Sequence, residues 1–159
     1  MLEIKNIVDD LPTHKSKIYK RRKLKDIEAY AFHHSATKSG SPNAFANFHV
    51  NTNGWPGIGY HFVIDIKSQV YQTNCLSTVS YNVGGKNNKK VIGICVVGNF
   101  QKFYPRQGQI DKSVLLVNYL NSMLGTKNVT KHGDWKSTSC PGMYFPIDII
   151  RMKTIFNHA

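Results

Sequence analysis

Short apolar runs separated by turn-rich segments predict a β-sheet in the middle of the chain. Residues 27–33 (IEAYAFH) are typical of a buried strand. Residues 91–97 (VIGICVV) are almost wholly apolar, as in a strand covered on both faces, and are expected to be central. Residues 60–66 (YHFVIDI) and 69–72 are separated by Lys67-Ser68, which predicts a hairpin.

Apolar residues at helical spacing predict three helices. The first follows Pro42, because proline suits the first turn of a helix. The second begins at Asp111, a good N-cap residue, and ends at Gly125. Its apolar stripe consists of Val114, Leu115, Val117, Leu120, Met123 and Leu124. The third begins near Pro146, and the mixture predicts a single-domain α/β fold with a mixed central β-sheet flanked by helices.

The N-terminal segment differs from the rest of the chain. Residues 1–25 are polar and basic, with only scattered apolar positions. We expect them to form a basic arm that packs on the domain built by residues 26–159. No internal repeat, linker or second domain is evident in the sequence.

Composition narrows the class of protein. The chain has 159 residues, of which 41% are hydrophobic and 19% charged, values typical of a folded globular domain rather than a disordered or fibrous chain. No run approaches the roughly 18 apolar residues of a membrane span, and the N-terminus carries acids rather than a basic and apolar signal. We therefore expect no transmembrane segment and no signal peptide.

The charge balance indicates a polyanionic partner. Lys and Arg number 21 against 9 Asp and Glu, a formal charge of +12. Such a surface attracts nucleic acid, an anionic cell wall or a membrane surface, and charge alone does not separate these partners. Much of the excess lies in residues 15–25, a pattern that a solvated basic segment also explains.

The best candidate for chemistry is a histidine and a cysteine in one polar loop. His132 precedes Cys140 by eight residues, and imidazole and thiolate are ligands that Zn²⁺ prefers. A third ligand is needed, and His33 at the end of a predicted strand is well placed to supply it. His34 points to the opposite face of that strand. Three protein ligands and one open position are typical of a catalytic zinc site.

The other cysteines and histidines have simpler interpretations. Cys95 lies in an apolar strand and is expected to be a small buried hydrophobe, whereas Cys75 has no obvious partner. His49 on the first helix and His61 in a strand are more often structural than ligands. Three scattered cysteines also argue against a disulfide framework.

Five segments in a fixed order carry a family resemblance. They are FHHSAT, GWPGIGYHFVID, VYQ, VIGICVVGNF, and HGDW followed by CPG, between Ala31 and Gly142. Together they resemble the zinc-dependent N-acetylmuramoyl-L-alanine amidases, a family that includes phage endolysins, bacterial autolysins and animal peptidoglycan-recognition proteins. The resemblance implies the α/β fold of that family.

The resemblance also implies the site. It assigns His33, His132 and Cys140 as Zn²⁺ ligands, with a water completing the coordination, and gives catalytic roles to Tyr60 and Thr138. The activated water would hydrolyse the amide between the lactyl group of N-acetylmuramic acid and L-alanine of the stem peptide. Tyr60 and Thr138 would orient the water or donate hydrogen bonds to the oxyanion.

The groove and the supporting residues are less defined by the resemblance. Trp55 and the loop 81–90 are candidate walls of a groove for sugar and peptide. Asp134 is left outside the catalytic set, because its spacing alone does not say whether it supports a ligand or the loop.

Two alternatives remain beside the hydrolase. A non-catalytic peptidoglycan-binding module of the same fold is expected to lose the cysteine ligand, yet Cys140 is present. A nucleic-acid binder with a structural zinc would need a fourth ligand and aromatic-basic alternation, which the sequence lacks. We therefore expect a monomer acting on bacterial peptidoglycan, with no specific nucleic-acid partner.

Origin and location follow from the same comparison. The basic surface could also bind anionic wall polymers. The cysteines do not reproduce the disulfides of the animal proteins, which favours a microbial or phage enzyme acting at the bacterial cell wall. It would wait in the host cytoplasm before release, as phage lysins do, or be secreted by a route other than a signal peptide.

Overall fold

A six-stranded sheet with three α-helices organises the protein, and the computed structural model describes residues 1–156. The strands are β1 (Ile4–Asn6), β2 (Ala29–His34), β3 (Phe62–Ile64), β4 (Val70–Gln72), β5 (Val91–Val96) and β6 (Asn128–Lys131). The helices are α1 (Pro42–Asn51), α2 (Gln107–Leu124) and α3 (Ile147–Phe156). Short 3₁₀ helices cover Val8–Asp10, Leu24–Asp26, Gly85–Lys90 and His132–Asp134. The predicted domain extends to residue 159, and its residues 157–159 lie outside the described part.

The sheet is mixed, as predicted. Its strand order is β1-β4-β3-β5-β2-β6, and among these strands of residues 1–156 only β3 and β4 are antiparallel. The predicted hairpin is therefore confirmed, although both of its strands are shorter than expected. Strands β5, β2 and β6 run parallel, so their carboxyl ends meet at one edge of the sheet. This edge carries the candidate site.

Helices cover both faces of the sheet. Tyr30 and Phe32 of β2 belong to the large core that includes residues of α2 and α3. Cys95 of β5 lies in a second cluster with Ala46 of α1. Because side chains alternate along a strand, His33 faces the α1 side and His34 the α2 side. All six residues of β5 are buried, as expected for a central strand.

Two of the three helix starts follow the sequence prediction. Helix α1 begins at Pro42, where the Ser41 hydroxyl accepts the N–H of Ala44 at 3.2 Å. The prediction that Asp111 begins the second helix is wrong, because α2 begins at Gln107 and Gln109 Oε1 accepts the N–H of Arg106 at 3.1 Å. Helix α3 begins directly after Pro146. Within residues 1–156, no helix is both long enough and apolar enough to cross a membrane.

The N-terminal arm joins the sheet and reaches the core. Strand β1, which the sequence pattern does not predict, pairs in parallel with β4 at the edge of the sheet. Arg22 is only 6% exposed, and its guanidinium donates to four backbone carbonyl oxygens at 2.8 to 3.2 Å. These acceptors belong to Leu76, Asn88, Lys89 and Val91. These bonds tie the arm to both ends of the loop between β4 and β5 and to the first residue of β5.

Candidate metal centre

Three side chains from two separate parts of the chain meet at the carboxyl edge of the sheet. His33 is the fifth residue of β2, and His132 directly follows β6, which pairs with β2 up to Phe32 and Lys131. Parallel pairing therefore sets the two imidazoles side by side, with ring centroids 4.6 Å apart. Cys140 Sγ lies 3.9 Å from His33 Nδ1. One ligand atom from each residue lies within 4.8 Å of the other two.

The loop that carries Cys140 is held by its own backbone. Gly133 N–H donates to the Cys140 carbonyl at 3.1 Å, so the loop closes on the residue after His132. Gly142 has a φ of +105°, and a Cβ at this position would collide with the backbone of Phe100. Glycine is therefore required there. The Pro-Gly turn brings the cysteine back to the sheet edge.

Burial keeps both imidazoles neutral. It lowers the pKa of His33 to about 3, and the nearby His132 adds to the effect. It also lowers the pKa of His132, helped by the positive charge of Lys136. Neutral imidazoles keep a lone pair for a metal at physiological pH.

The thiol of Cys140 needs a cation to ionise. Burial raises the pKa of Cys140 to about 11, although a hydrogen bond from the backbone of His34 opposes the rise. The thiol is therefore protonated near neutral pH unless a positive charge replaces the proton. Two neutral imidazoles and one ionisable thiol at these distances form a donor set that suits Zn²⁺.

The tyrosine and the threonine of the predicted site lie beside this centre. The Tyr60 ring centroid is 5.2 Å from that of His33. Burial, and then electrostatic interaction with the nearby Cys95 and Cys140 side chains, raises the pKa of Tyr60 well above its usual value, so the phenol keeps its proton. Thr138 is exposed, and its Oγ1 accepts the N–H of Cys140 at 3.3 Å, which leaves its hydroxyl proton free to donate elsewhere.

A row of rings leads away from the metal centre. His49 lies 5.5 Å from Tyr60 and 4.7 Å from Trp55, measured between ring centroids. Trp55 in turn lies 5.8 Å from Tyr81, the first residue of the loop 81–90. His49 Nδ1 accepts the N–H of Gly59 at 2.9 Å, which is a structural role. Trp55 and Tyr81 thus lie on one aromatic wall that begins at the centre.

The remaining polar residues have structural partners. His34 Nδ1 accepts the N–H of Phe100 at 3.1 Å on the opposite face of the sheet. His61 is fully buried, and its Nδ1 accepts the N–H of Gly93 at 3.1 Å. Asp134 Oδ2 accepts the N–H of Lys131 at 3.0 Å and so supports the turn that contains His132.

Sequence reasoning missed one residue of this site. Asn82 Oδ1 lies 3.3 Å from Nε2 of His33, on the side of the ring away from Cys140. Asn82 belongs to the polar loop that the sequence marks only as a groove wall, and nothing in its local spacing indicates contact with a residue 49 positions earlier.

Comparisons with known proteins agree with the fold. Residues 23–143 match the family model described as N-acetylmuramoyl-L-alanine amidase. No curated protein matches the sequence significantly.

Three solved structures illustrate the likeness. The N-acetylmuramoyl-L-alanine amidase LysC from Clostridium intestinale URNW is 24% identical over 96% of this chain and 97% of its own, with a TM-score of 0.81. The Ph2119 endolysin from the Thermus scotoductus bacteriophage Ph2119 is 20% identical over 96% and 99%, with a TM-score of 0.81. Peptidoglycan recognition protein-LE, solved with tracheal cytotoxin, a monomeric diaminopimelic acid-type peptidoglycan, is 20% identical over 92% and 91%, with a TM-score of 0.79. At these identities the likeness establishes the fold, which agrees with the sequence prediction.

Proposed function

Because the chain belongs to the N-acetylmuramoyl-L-alanine amidase family, we propose that it is a zinc-dependent peptidoglycan hydrolase that works as a monomer. The bond cleaved is the amide between N-acetylmuramic acid and L-alanine of the stem peptide. One observation carries the proposal, namely that ligand atoms of His33, His132 and Cys140 lie within 4.8 Å of one another. A complete ligand set favours the hydrolase over a non-catalytic binding module.

The residues of the site suit amide hydrolysis. A zinc ion held by the two imidazoles and the thiolate would act as a Lewis acid on the substrate carbonyl and would lower the pKa of a water molecule towards neutrality. Tyr60 keeps its phenolic proton because burial raises its pKa, so it can donate a hydrogen bond as negative charge develops on the carbonyl oxygen. Thr138 offers a second donor from the loop of Cys140.

The aromatic wall gives the substrate a place beside the metal. Trp55 and Tyr81 continue from Tyr60 and are partly or largely exposed, so they are available to sugar and peptide. The solved peptidoglycan recognition protein-LE carries a peptidoglycan fragment on the same fold. We therefore propose bacterial peptidoglycan as the partner and the cell wall as the place of action.

The basic arm supplies a second contact with the wall. One cavity of about 520 Å³ is lined by basic residues from two segments. They are Lys20 and Arg21 of the arm and Lys86 and Lys89 of the loop 81–90. We propose that this basic cavity binds anionic wall polymers. Wall binding should weaken as the ionic strength rises, because salt screens exposed charges. Sedimentation of the protein with purified walls at low and high salt measures this, and unchanged binding would refute the electrostatic contact.

Digestion of purified peptidoglycan by the zinc-loaded protein tests the activity. New L-alanine amino groups without new reducing ends identify an amidase, whereas new reducing ends would replace the proposal with a glycosidase. Binding without either product would favour the non-catalytic module. A chelator should abolish cleavage.

Two cysteine variants form a matched pair. Cys140→Ser should abolish cleavage and lower the zinc content while the fold persists. Cys75→Ser removes an exposed free cysteine and should leave both unchanged. Equal activity in the two variants would remove Cys140 from the site.

A further inference from the structure

The polar loop behind His33 holds this ligand in one orientation. We infer that Asn82 is a positioning residue that selects the metal-binding form of His33, and that Asn88 holds Asn82 in place. The inference rests on the proposed metal centre and adds two residues to its support.

The contact between Asn82 and His33 determines where the imidazole carries its proton. A neutral imidazole has one N–H, and Oδ1 of Asn82, a pure acceptor, lies 3.3 Å from Nε2. The proton is therefore expected on Nε2, which leaves the lone pair on Nδ1. Nδ1 is the atom that lies 3.9 Å from Cys140 Sγ. Metal-binding histidines are commonly oriented by such a hydrogen bond from the other ring nitrogen.

The amide of Asn82 has a defined orientation. Its Nδ2 donates to the carbonyl of Ser80 at 3.3 Å, so the oxygen rather than the nitrogen faces His33. His33 is 2% exposed, which leaves little access for water to replace this acceptor. Within residues 1–156, the hydrogen bond that Asn82 Oδ1 accepts comes from His33.

Asn88 fixes the backbone around Asn82. Its Oδ1 accepts three consecutive N–H groups, those of Asn82, Val83 and Gly84, at 2.9 to 3.0 Å. Asn88 is itself only 5% exposed. A single buried amide oxygen thus sets the turn from which the Asn82 side chain projects.

A glycine of the neighbouring strand makes room for the side chain. A Cβ on Gly93 of β5 would lie 2.8 Å from both Cγ and Oδ1 of Asn82. The amide therefore occupies the space that a larger residue would fill. Asn88 fixes the backbone of Asn82, and the absence of a side chain on Gly93 leaves room for the Asn82 amide beside His33.

Zinc affinity and the tautomer of His33 test the inference. Asn82→Ala should weaken zinc binding about 10- to 100-fold, the usual effect of losing such a support. Asn82→Asp retains an acceptor and should keep the affinity near or above that of the wild type. Asn121→Ala is the matched control, because Asn121 is a buried asparagine that accepts the Tyr30 hydroxyl on the other face of the sheet. It should lower stability and leave zinc affinity unchanged.

Nitrogen-15 NMR of the zinc-free wild type reports the tautomer without any variant. His33 should carry its proton on Nε2 at neutral pH. A second measurement uses the variant: the visible spectrum of the Co²⁺-loaded Asn82→Ala protein should differ from that of the Co²⁺-loaded wild type. A proton on Nδ1 in the wild type overturns the inference even if Asn82→Ala fails to fold. Wild-type zinc affinity in a folded Asn82→Ala protein overturns it as well. A wild type that neither binds zinc nor cleaves peptidoglycan would instead reject the proposed function.

Discussion

Replacing Arg22 by methionine should destabilise the whole domain, although Arg22 lies outside the residues that match the family model. The guanidinium donates to four carbonyls, and two of these bonds, to Asn88 and Val91, are buried. Methionine fills similar space but donates no hydrogen bond. The buried carbonyls then lose this donor.

The magnitude follows from the buried acceptors. An unsatisfied buried polar group costs about 1–3 kcal/mol, so two of them cost about 2–6 kcal/mol. Relief from burying the guanidinium offsets part of this, because burying a cation is itself unfavourable. We expect a net loss of about 3 kcal/mol in the free energy of unfolding. At this chain length each kcal/mol lowers the melting temperature by about 2–4 °C, which gives a decrease of about 6–12 °C.

Urea denaturation of two neighbouring variants measures the effect. Arg21 is exposed, and its guanidinium donates to the Ser77 hydroxyl at 2.8 Å. Arg21→Met should therefore change stability by no more than about 0.5 kcal/mol. Equal stability of the two variants would refute the role of Arg22 and with it the integral place of the arm in the fold.

Three further predictions concern titration and catalysis. The zinc-free protein should lose stability as the pH falls below about 6.5, because the pKa values of His33 and His61 are lowered to about 3 in the folded state, so the unfolded chain binds more protons in that window. Urea midpoints that stay constant from pH 7 to 5 would contradict this, and His61→Gln should reduce the slope. Zinc binding at pH 8 should release at least one proton, because the pKa of Cys140 is raised to about 11 and a bound thiol ionises, and a zinc-bound water that ionises near neutrality would add to the count. Calorimetry in buffers of different ionisation enthalpy counts the protons, and none released would argue against a thiolate ligand. Tyr60→Phe should lower kcat about 10²- to 10³-fold at unchanged zinc content, and unimpaired turnover would exclude Tyr60 as the oxyanion donor.

Local patterns foresaw most of the regular structure. The apolar run of β5 and the alternation along β2 predicted burial and the opposite faces of His33 and His34, and both follow from the backbone geometry of a strand. Pro42 predicted the start of α1, because the backbone of proline suits the first turn of a helix. The predicted start of α2 was wrong. Aspartate favours an N-cap position by residue type alone, which is why Asp111 was chosen. The contact between Arg106 and Gln109 at the true start forms only once the backbone has turned there.

The candidate site was foreseen less by spacing than by the ordered motifs. Ligand chemistry made His132 and Cys140 plausible partners with His33 as the candidate third ligand, and the family resemblance assigned all three and added Tyr60 and Thr138. The structure brings these side chains into one region, while their roles stay predictions until zinc and turnover are measured. Neither spacing nor resemblance indicated Asn82 or Arg22.

By itself, the sequence determined strands β2 to β5, most helix boundaries, the basic balance and the family, because these depend on neighbouring residues or on motif order, whereas it indicated neither β1 nor β6. Only the tertiary structure decided which distant groups meet. Parallel pairing of β2 and β6 places His33 beside His132. The loop between β4 and β5 places Asn82 beside Nε2 of the same His33 imidazole. Strand β1 is three residues long and has no pattern of its own, so its pairing with β4 depends on contacts across more than sixty residues. Such contacts arise from packing between segments, for which local periodicity carries no signal.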